Sequence, residues 1–260
     1  MTPLRVERFE MLDSTNLHAR RQVQCGAVRS EGAPVLFLAR EQSGGVGRLG
    51  RAWSSPRGGL WMTLARPIDP ASAGLPTLGL RIGAACLASV LRLAGGPRSD
   101  GTPREVHLKW PNDVLIGGRK VLGALCETVR DPLAQTWVLI GVGVNANFHA
   151  ARLPAGLRRP PTTLLEELGA EVDLEALRED LCARLLAAVS DPEPAAALAL
   201  AREHLYARGG RISLHLPDGS AVWGTLETLS GDGLPVVRTI GGDIVAPAGA
   251  EIRVTAEGTR

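Results

Sequence analysis

Continuous apolar runs and one long helical stripe dominate the hydrophobic pattern of the first half of the chain. Residues 35–39 (VLFLA), 60–65 (LWMTLA) and 137–144 (WVLIGVGV) are short and apolar, which is typical of buried strands. Between residues 75 and 93 the apolar positions recur at helical spacing, and a Gly-Gly-Pro sequence follows as a stop signal. The pattern therefore predicts buried strands with a long core helix.

A second type of strand, in which apolar and polar residues alternate, is predicted at residues 106–110 (VHLKW). The alternation puts Lys109 on the opposite face from the apolar residues. A proline ends this strand, and Asn112 and Asp113 follow directly after it. Side chains at the end of a strand project beyond the sheet, where sites are often built.

Two further predicted strands contain glycine. The strand at residues 120–127 begins at Lys120 and has Gly123 in its interior, and the run at residues 137–144 contains two glycines before Asn145. An interior glycine weakens a strand, so we interpret Gly123 as a position where backbone or a ligand passes close to the main chain.

The pattern changes again in the second half of the chain. Thr163 and Glu166 form a capping box for a short helix, and Asp173 is expected to cap the next helix, which carries a stripe of leucines. From residue 211 onward, short alternating runs separated by glycine-rich turns predict a small β-barrel of about five strands. We therefore predict an α+β fold with two domains, residues 1–208 and 209–260.

Composition and charge restrict the classes of function. The chain has 260 residues, 45% hydrophobic and 22% charged, and its net charge of +2 gives no reason to expect a large polyanion such as DNA as a partner. No run of 18 apolar residues is long enough to span a bilayer, and the first residues carry charges that a signal peptide lacks. The four cysteines are scattered without a C-x-x-C pair, which favours reduced thiols. We expect a cytoplasmic protein that does not bind a membrane.

The stretch at residues 41–62 (EQSGGVGRLGRAWSSPRGGLWM) concentrates glycine and arginine. Glycines allow the main chain to approach a ligand and to point N–H groups at it, and the forked side chains of Arg48 and Arg51 can bind phosphate or carboxylate oxygens. Without an anion, these two arginines are expected to repel each other and to lack partners. The alternative is a solvated basic turn, because the stretch fits neither common nucleotide-binding glycine motif.

The sequence Asp-Ser-Thr-Asn at residues 13–16 precedes a segment with helical character, residues 17–23. Ser14 or Thr15 can therefore be an N-cap, whose side-chain oxygen accepts a backbone N–H. Taken alone, this pattern predicts a structural role for both residues.

Five motifs in a fixed order resemble those of the biotin protein ligases: DSTN, EQSGGVGRLGRAW, KWPNDVL, GRKVLGALCE and GVGVNAN. The resemblance covers the first predicted domain, and the barrel matches the SH3-like domain that ends those ligases. It implies a catalytic domain with a mixed sheet and helices packed on it. It also implies an enzyme that uses ATP and Mg²⁺ to activate biotin and transfers it to a lysine of a biotin carboxyl carrier protein.

The resemblance also implies roles for individual residues on the biotin side of the site. Lys120 would bridge the biotin carboxylate and the α-phosphate, and with Arg48 and Lys109 it makes the expected catalytic set. For Thr15, a purely structural N-cap remains the alternative. The residues expected at the biotin pocket are Ser14, Thr15, Gln42, Gly45, Val46, Gly47, Arg48, Lys120 and Gly123.

On the nucleotide side, the resemblance implies that Asp113 contacts magnesium and that Lys109 faces the triphosphate. Trp53 would pack on the adenine, although a buried core tryptophan is the alternative. The residues expected to bind the nucleotide are Arg48, Arg51, Trp53, Lys109, Asn112 and Asn145.

The chain departs from the usual family pattern in two ways. Val46 occupies a position where many members have arginine, which puts only that side-chain contact in doubt. Members that also act as repressors carry a DNA-binding domain ahead of DSTN, and Ser14 lies too near the start of this sequence for one. We therefore expect a monofunctional ligase without specific DNA binding. The oligomeric state stays open, with a homodimer as one alternative.

Two rival functions fit parts of the pattern. A lipoate or octanoyl transferase has the same fold but lacks the full KWPND and GRK set. A biotin-binding sensor would keep the pocket without the chemistry, and the joint presence of Arg48, Lys109, Asp113 and Lys120 argues against it. In a third interpretation, compatible with an enzyme, the barrel is a module that binds the carrier protein.

Overall fold

The structure is a computed structural model that describes residues 4–28, 33–71, 73–98, 100–157, 159–247 and 249–254. The first residues of the first predicted domain, 1–3, and the last residues of the second, 255–260, lie outside the described residues.

The chain forms two sheets and five α-helices in the described residues. The strands are β1 (Arg5–Phe9), β2 (Val35–Ala39), β3 (Leu60–Pro67), β4 (Val106–Lys109), β5 (Asp113–Ile116), β6 (Arg119–Arg130), β7 (Thr136–Val144), β8 (Arg211–His215), β9 (Ala221–Leu229), β10 (Pro235–Thr239), β11 (Gly242–Val245) and β12 (Glu251–Val254). The helices are α1 (Thr15–Gln24), α2 (Leu75–Ala94), α3 (Leu164–Leu168), α4 (Leu174–Ser190) and α5 (Ala195–Glu203).

The first sheet has seven strands in the order β1-β2-β3-β7-β6-β5-β4. Only β1 and β2 are parallel, so the sheet is mixed, as predicted. Its two faces are covered by different helices: α1 packs over β2, β3, β6 and β7, whereas α2 packs over β4, β5 and β6 with α4 and α5 behind it. In β2, Phe37 belongs to the cluster under α1 and Leu36 to the larger cluster under α2. Burial on both faces explains why the central strands are continuously apolar.

Two strands of this sheet were missed by the sequence pattern. β1 (RVERF) is an edge strand that carries three charged residues without strict alternation, and charge on an edge blocks pairing with other chains. β5 begins at Asp113, only four residues after β4 ends, so the tight connection hid the strand start. The interpretation of Asp113 as a residue beyond the sheet was therefore wrong: it is the first residue of a strand and pairs with Lys109 and Gly123.

Helix capping follows the predictions in most details. Ser14 caps α1, Asp173 caps α4, and the hydroxyl of Thr163 accepts the N–H of Glu166 at the start of α3. The capping box is incomplete, because the Glu166 carboxylate accepts the N–H of Ala150 instead of returning to Thr163. Glu166 thus fastens α3 to the preceding loop.

The second sheet contains five antiparallel strands in the order β11-β10-β9-β8-β12, in agreement with the predicted number. A continuous apolar cluster connects this sheet with the part of the chain before the predicted domain boundary. The cluster includes Leu205 before that boundary and Leu226 after it. The indole Nε1 of Trp110 donates to the carbonyl of Gly233 at 2.9 Å. The end of β4 is therefore attached directly to the second sheet. The division at residues 208 and 209 remains a prediction.

The expectation that no segment is long and apolar enough to span a bilayer is wrong for helix α2, which meets the length and composition criteria for a membrane span. However, 67% of that window is buried inside the fold. It is a core helix.

All four cysteines are free, as expected from their scatter; two are buried, Cys126 is partly buried and Cys25 is exposed. Burial raises the pKa of Cys86 to about 12, which keeps that thiol protonated and unreactive.

Candidate functional site

A cavity of about 870 Å³ lies between the glycine-rich stretch and the ends of β4 to β7. Its volume is in the range of sites that hold a ligand of cofactor size. All of the residues predicted for the site line it: Ser14, Thr15, Gln42, Gly45, Val46, Gly47, Arg48, Arg51, Trp53, Lys109, Asn112, Asp113, Lys120, Gly123 and Asn145. The structure thus brings together five motifs whose outermost site residues, Ser14 and Asn145, are 131 positions apart in the sequence.

The glycine-rich stretch forms a folded hairpin over the cavity. The N–H of Trp53 donates to the carbonyl of Gly45 at 2.8 Å, and the N–H of Gly47 donates to the carbonyl of Arg51 at 2.7 Å. A Cβ at Gly45 would lie 2.3 Å from the Trp53 carbonyl oxygen, so glycine is required for this close approach. The N–H of Gly47 is used within the hairpin, so in this conformation it is not available to a ligand.

Hydrogen bonds fix the polar end of the cavity. The side-chain oxygen of Gln42 accepts the backbone N–H of Thr15 at 2.7 Å, and its Nε2 donates to Ser55 at 2.6 Å. The Ser14 oxygen accepts the N–H of Leu17 as an N-cap, which leaves its hydroxyl proton free to donate. The alternative that Thr15 is itself the cap is wrong, since its hydroxyl donates to Gln42 at 3.1 Å.

Thr63 and Asn16 support these residues from behind and were missed in the sequence. Thr63 lies in the middle of β3 and is fully buried. Its hydroxyl donates to Asn16 Oδ1 at 2.7 Å, and the Thr15 hydroxyl oxygen lies 2.9 Å from the same group. The amide of Asn16 in turn donates to Glu127 at 3.1 Å. A polar residue inside the apolar run LWMTLA was the available signal, because a buried hydroxyl needs a hydrogen-bond partner.

Lys120 lines the cavity and is held by two contacts. Its Nζ is 2.7 Å from Asp113 Oδ1 and 4.7 Å from the centre of the Trp53 ring. A pair of opposite charges beside an aromatic face holds the ammonium in one place. The two sequence motifs that carry Lys120 and Asp113 are therefore joined by an ion pair, and any anion that approaches Lys120 also meets Asp113.

Paired glycines of β6 and β7 form the floor on which Trp53 lies. Gly123 and Gly143 are register partners, and a Cβ at Gly143 would lie 2.5 Å from the Trp53 Nε1. A Cβ at Gly123 would lie 3.0 Å from Lys120 Nζ. The indole N–H has no partner among the described residues. Trp53 is thus part of the cavity wall, unlike the core tryptophans Trp61 and Trp137, which are fully buried.

The two asparagines of the site are buried and bind main chain. Asn112 donates its side-chain N–H to the carbonyl of Ala124 on β6. Asn145 donates to the carbonyls of Lys120 and Thr162 at 3.3 and 3.1 Å, and its backbone N–H donates to Val121 at 2.8 Å. Asn145 therefore fixes the backbone that carries Lys120, and both asparagines line the cavity.

Burial lowers the pKa of Lys109 to about 8, from an ordinary value of 10.5. Nearby Asp113 opposes this shift, whereas the cations Arg159 and Lys120 add to it. Lys109 and Lys120 are also the only lysines of the chain, and every other strongly basic side chain is arginine. Lysine loses its proton far more readily than arginine when it is buried. The presence of lysine at these two positions alone was therefore a second signal of the site in the sequence.

We expect anionic phosphates to raise the pKa of Lys109, because they stabilise its ammonium form. Below about pH 8 Lys109 is charged in the free protein, and above it the charge is lost. Triphosphate affinity should therefore fall as the pH rises above this value. In protein labelled with ¹³C only at lysine, NMR would show two side-chain resonances to titrate with and without a non-hydrolysable ATP analogue.

The variant Lys109→Arg would assign the resonances of that titration, since only Lys120 remains labelled. A Lys109 resonance that titrates in the ordinary range of free lysine, or that does not shift its midpoint when the analogue binds, would contradict the expectation.

Arg51 was expected to lack a partner without an anion, and that expectation is wrong. Its guanidinium binds both oxygens of Glu251 at 3.0 and 3.1 Å in a forked pair. Glu251 is the first residue of β12, 200 positions away, so nothing in the local sequence indicated the contact. The pair fastens the glycine-rich hairpin to the second sheet, and a nucleotide that used Arg51 would share it with Glu251.

The model of the Biotin/lipoate A/B protein ligase family matches residues 10–145. The "Biotin--[acetyl-CoA-carboxylase] ligase" of Mycobacterium tuberculosis is 31% identical over 222 residues, which is 83% of this chain and 77% of that protein. The "Bifunctional ligase/repressor BirA" of Bacillus spizizenii is 33% identical over 140 residues, 54% of this chain. The chain covers 41% of that relative's length.

Among solved structures, the "Biotin protein ligase from Aquifex aeolicus in complex with biotin and ATP" is similar with a TM-score of 0.77. The likeness covers 96% of this chain and 99% of that chain at 23% sequence identity. At this identity the match shows the fold, which therefore extends over both sheets.

Proposed function

Since the chain belongs to the biotin/lipoate A/B protein ligase family, we propose that it is an ATP-dependent biotin protein ligase. It activates biotin as biotinyl-5′-AMP and then transfers the biotinyl group to a lysine of a biotin carboxyl carrier protein. The reduced thiols support a cytoplasmic location.

One observation carries this proposal. The polar pocket of Ser14, Thr15 and Gln42 and the cations Lys109 and Lys120 line the same cavity. The first group offers hydroxyl and amide partners for a ureido ring, and the second offers charge for a carboxylate and a polyphosphate. Neither group alone would distinguish a ligase from a simple binding protein.

The first step joins two anions, so it needs fixed positive charge. A biotin carboxylate oxygen attacks the α-phosphorus of ATP, the bond to the β-phosphate oxygen breaks, and pyrophosphate leaves. Lys120 neutralises the attacking carboxylate and the α-phosphate, while Arg48 and Lys109 bind phosphate oxygens. Each such preorganised contact is worth roughly 3 to 4 kcal/mol of barrier.

In the second step a neutral carrier lysine attacks the acyl carbon of the adenylate, and AMP leaves. The mixed anhydride is also open to attack by water. The hairpin over the cavity, with Trp53 lying on the glycine floor, restricts that access. Gly45 is required there for the close approach of backbone, whereas a Cβ at Gly47 would meet only the Arg51 carbonyl oxygen at 3.5 Å. Val46 adds an apolar side chain at the same edge.

The chemistry of the donor set fits a Mg²⁺ ion held chiefly by phosphates. The described residues contain no group of three or more histidine, cysteine, aspartate or glutamate side chains that could hold a metal alone. Mg²⁺ commonly binds one or two carboxylates together with substrate phosphates and water, and Asp113 supplies one carboxylate. When bound, the ion would be held by Asp113 and would offset the negative charge of the phosphates.

We expect the full chain to label a biotin carboxyl carrier fragment with radioactive biotin when ATP and Mg²⁺ are present. The label should be lost when ATP is omitted, or when the acceptor lysine of the carrier is replaced by arginine. Pyrophosphate release in the absence of the carrier would report the first step separately. Purified protein and carrier suffice for this assay.

The outcomes separate the rival functions. Labelling with lipoate or octanoate in preference to biotin would indicate a lipoyl-type transferase. Biotin binding without release of pyrophosphate would indicate a sensor. Either result would overturn the proposal, whereas carrier labelling that depends on biotin and ATP would support it.

A further inference from the structure

Arg159 is a cation of the cavity that none of the recognised motifs contains. It lies in the loop between β7 and α3 and lines the cavity together with Lys109. The chain around it reads LRRPPTT, which gives no sign of a site by itself. Its place in the fold is what identifies it.

The guanidinium of Arg159 is held by two contacts that leave most of its donors free. It stacks over the ring of Tyr206 at 4.8 Å from the ring centre, and its Nη1 donates to the carbonyl of Gly118 at 3.1 Å. A guanidinium has five N–H donors in a rigid fork. A stacked, singly bonded fork is thus oriented in advance and can still bind two oxygens.

Tyr206 brings Arg159 to the strand that carries Lys109. The backbone N–H of Tyr206 donates to the carbonyl of Leu108 on β4 at 3.0 Å, and its ring meets His107 edge-on at 5.9 Å. The charge of Arg159 accordingly contributes to the lowered pKa of Lys109. Two cations therefore face the same part of the cavity.

The charges around Arg159 are not balanced. Among the described residues that line the cavity, the cations are Arg48, Arg51, Lys109, Lys120, Arg159 and Arg253, and the anions are Glu41, Asp113 and Glu251. Arg51 is bound to Glu251 and Lys120 to Asp113, whereas Arg159 forms no ion pair with a described carboxylate. Uncompensated positive charge in a partly enclosed cavity attracts an anion.

We propose that Arg159 binds the phosphate end of ATP beside Lys109 and is a further substrate-binding residue of the adenylation step. The inference rests on the proposed function, since the nucleotide is the anion it names. The stacked fork engages phosphate oxygens that leave as pyrophosphate, so it acts in the first step alone. The transfer of biotin from the finished adenylate to the carrier does not need it.

The test measures nucleotide affinity by calorimetry, using α,β-methylene ATP and AMP as probes. Arg159→Gln is expected to bind the ATP analogue at least about 10-fold more weakly, as expected for loss of charged hydrogen bonds. Its affinity for AMP should stay within about 2-fold of the wild-type value, because AMP lacks the phosphates that Arg159 contacts. Carrier labelling from synthetic biotinyl-5′-AMP should be unchanged.

Arg152→Gln is the matched control. Arg152 also stacks over an aromatic ring, that of Phe148 at 6.0 Å, and donates to one carbonyl, that of Arg57 at 3.0 Å. It does not line the cavity. Removing it should leave both affinities unchanged.

Two outcomes would overturn the inference. Unchanged affinity of Arg159→Gln for the ATP analogue would exclude the contact, and equal losses for the analogue and for AMP would assign Arg159 to another part of the site. If the wild-type protein binds the analogue and biotinylates its carrier, and Arg159→Gln binds the analogue equally well, this inference alone is overturned. Absence of both activities in the wild type would overturn the proposed function.

Discussion

Lys120→Ala is expected to slow formation of the adenylate at least about 100-fold while the fold stays intact. The ammonium of Lys120 is fixed between Asp113 and the Trp53 ring, so it meets the carboxylate and the α-phosphate without rearrangement. Its attraction grows as negative charge accumulates between the two reacting anions, which lowers the barrier more than it strengthens binding. The measurement is pyrophosphate release with saturating biotin and ATP.

Two further variants separate charge from position. Lys120→Arg keeps the charge, but a planar guanidinium cannot reproduce the single ammonium position beside Asp113 and the Trp53 ring, so it should restore only part of the rate. Arg130→Ala, at the exposed far end of β6, should behave as wild type. A near-normal rate for Lys120→Ala would remove this residue from the mechanism.

Gly83→Ala is expected to destabilise the protein by roughly 1 to 3 kcal/mol, although alanine favours a helix more than glycine does. Gly83 is buried in α2, and a Cβ there would lie 2.1 Å from the carbonyl oxygen of Pro111 and 3.2 Å from the Cα of Asn112. Both neighbours are backbone atoms, so the helix or the turn that carries Asn112 and Asp113 must move. Urea unfolding and pyrophosphate release should therefore both be affected.

Gly79→Ala, one turn earlier in the same helix, is the matched control. A Cβ at Gly79 meets no atom within 4 Å. This variant should gain up to about 1 kcal/mol of stability from helix propensity and keep wild-type activity. If the two variants had equal stability, contact between α2 and the KWPND turn would not be what requires glycine at position 83.

These predictions depend on different levels of information. The importance of Lys120 was expected from sequence motifs, and the structure adds its contact with Asp113 and Trp53. The importance of Gly83 could not be expected, because a glycine inside a helical stripe looks like a weak helix residue until its neighbour across the interface is known. The same holds for Thr63, whose partners Asn16 and Thr15 lie almost 50 residues away.

The sequence by itself determined the local features of this protein. Hydrophobic periodicity and helix capping act over a few residues, and they predict the local elements. These elements are the buried strands, the long helix α2, the caps at Ser14, Thr163 and Asp173, and the five-stranded C-terminal sheet. The motif residues were also recognisable in the sequence, since each motif is a short continuous stretch.

The tertiary structure alone decided which charges meet. Two contacts join segments whose local sequence is compatible with other arrangements: the pairing of Arg51 with Glu251 and the stacking of Arg159 on Tyr206. The short strand β5 likewise depends on its neighbours in the sheet. An ion pair or a stacked ring depends on distance in space, and that distance is set by how the two sheets and the helices pack around a common core. Short-range patterns carry no information about such distances.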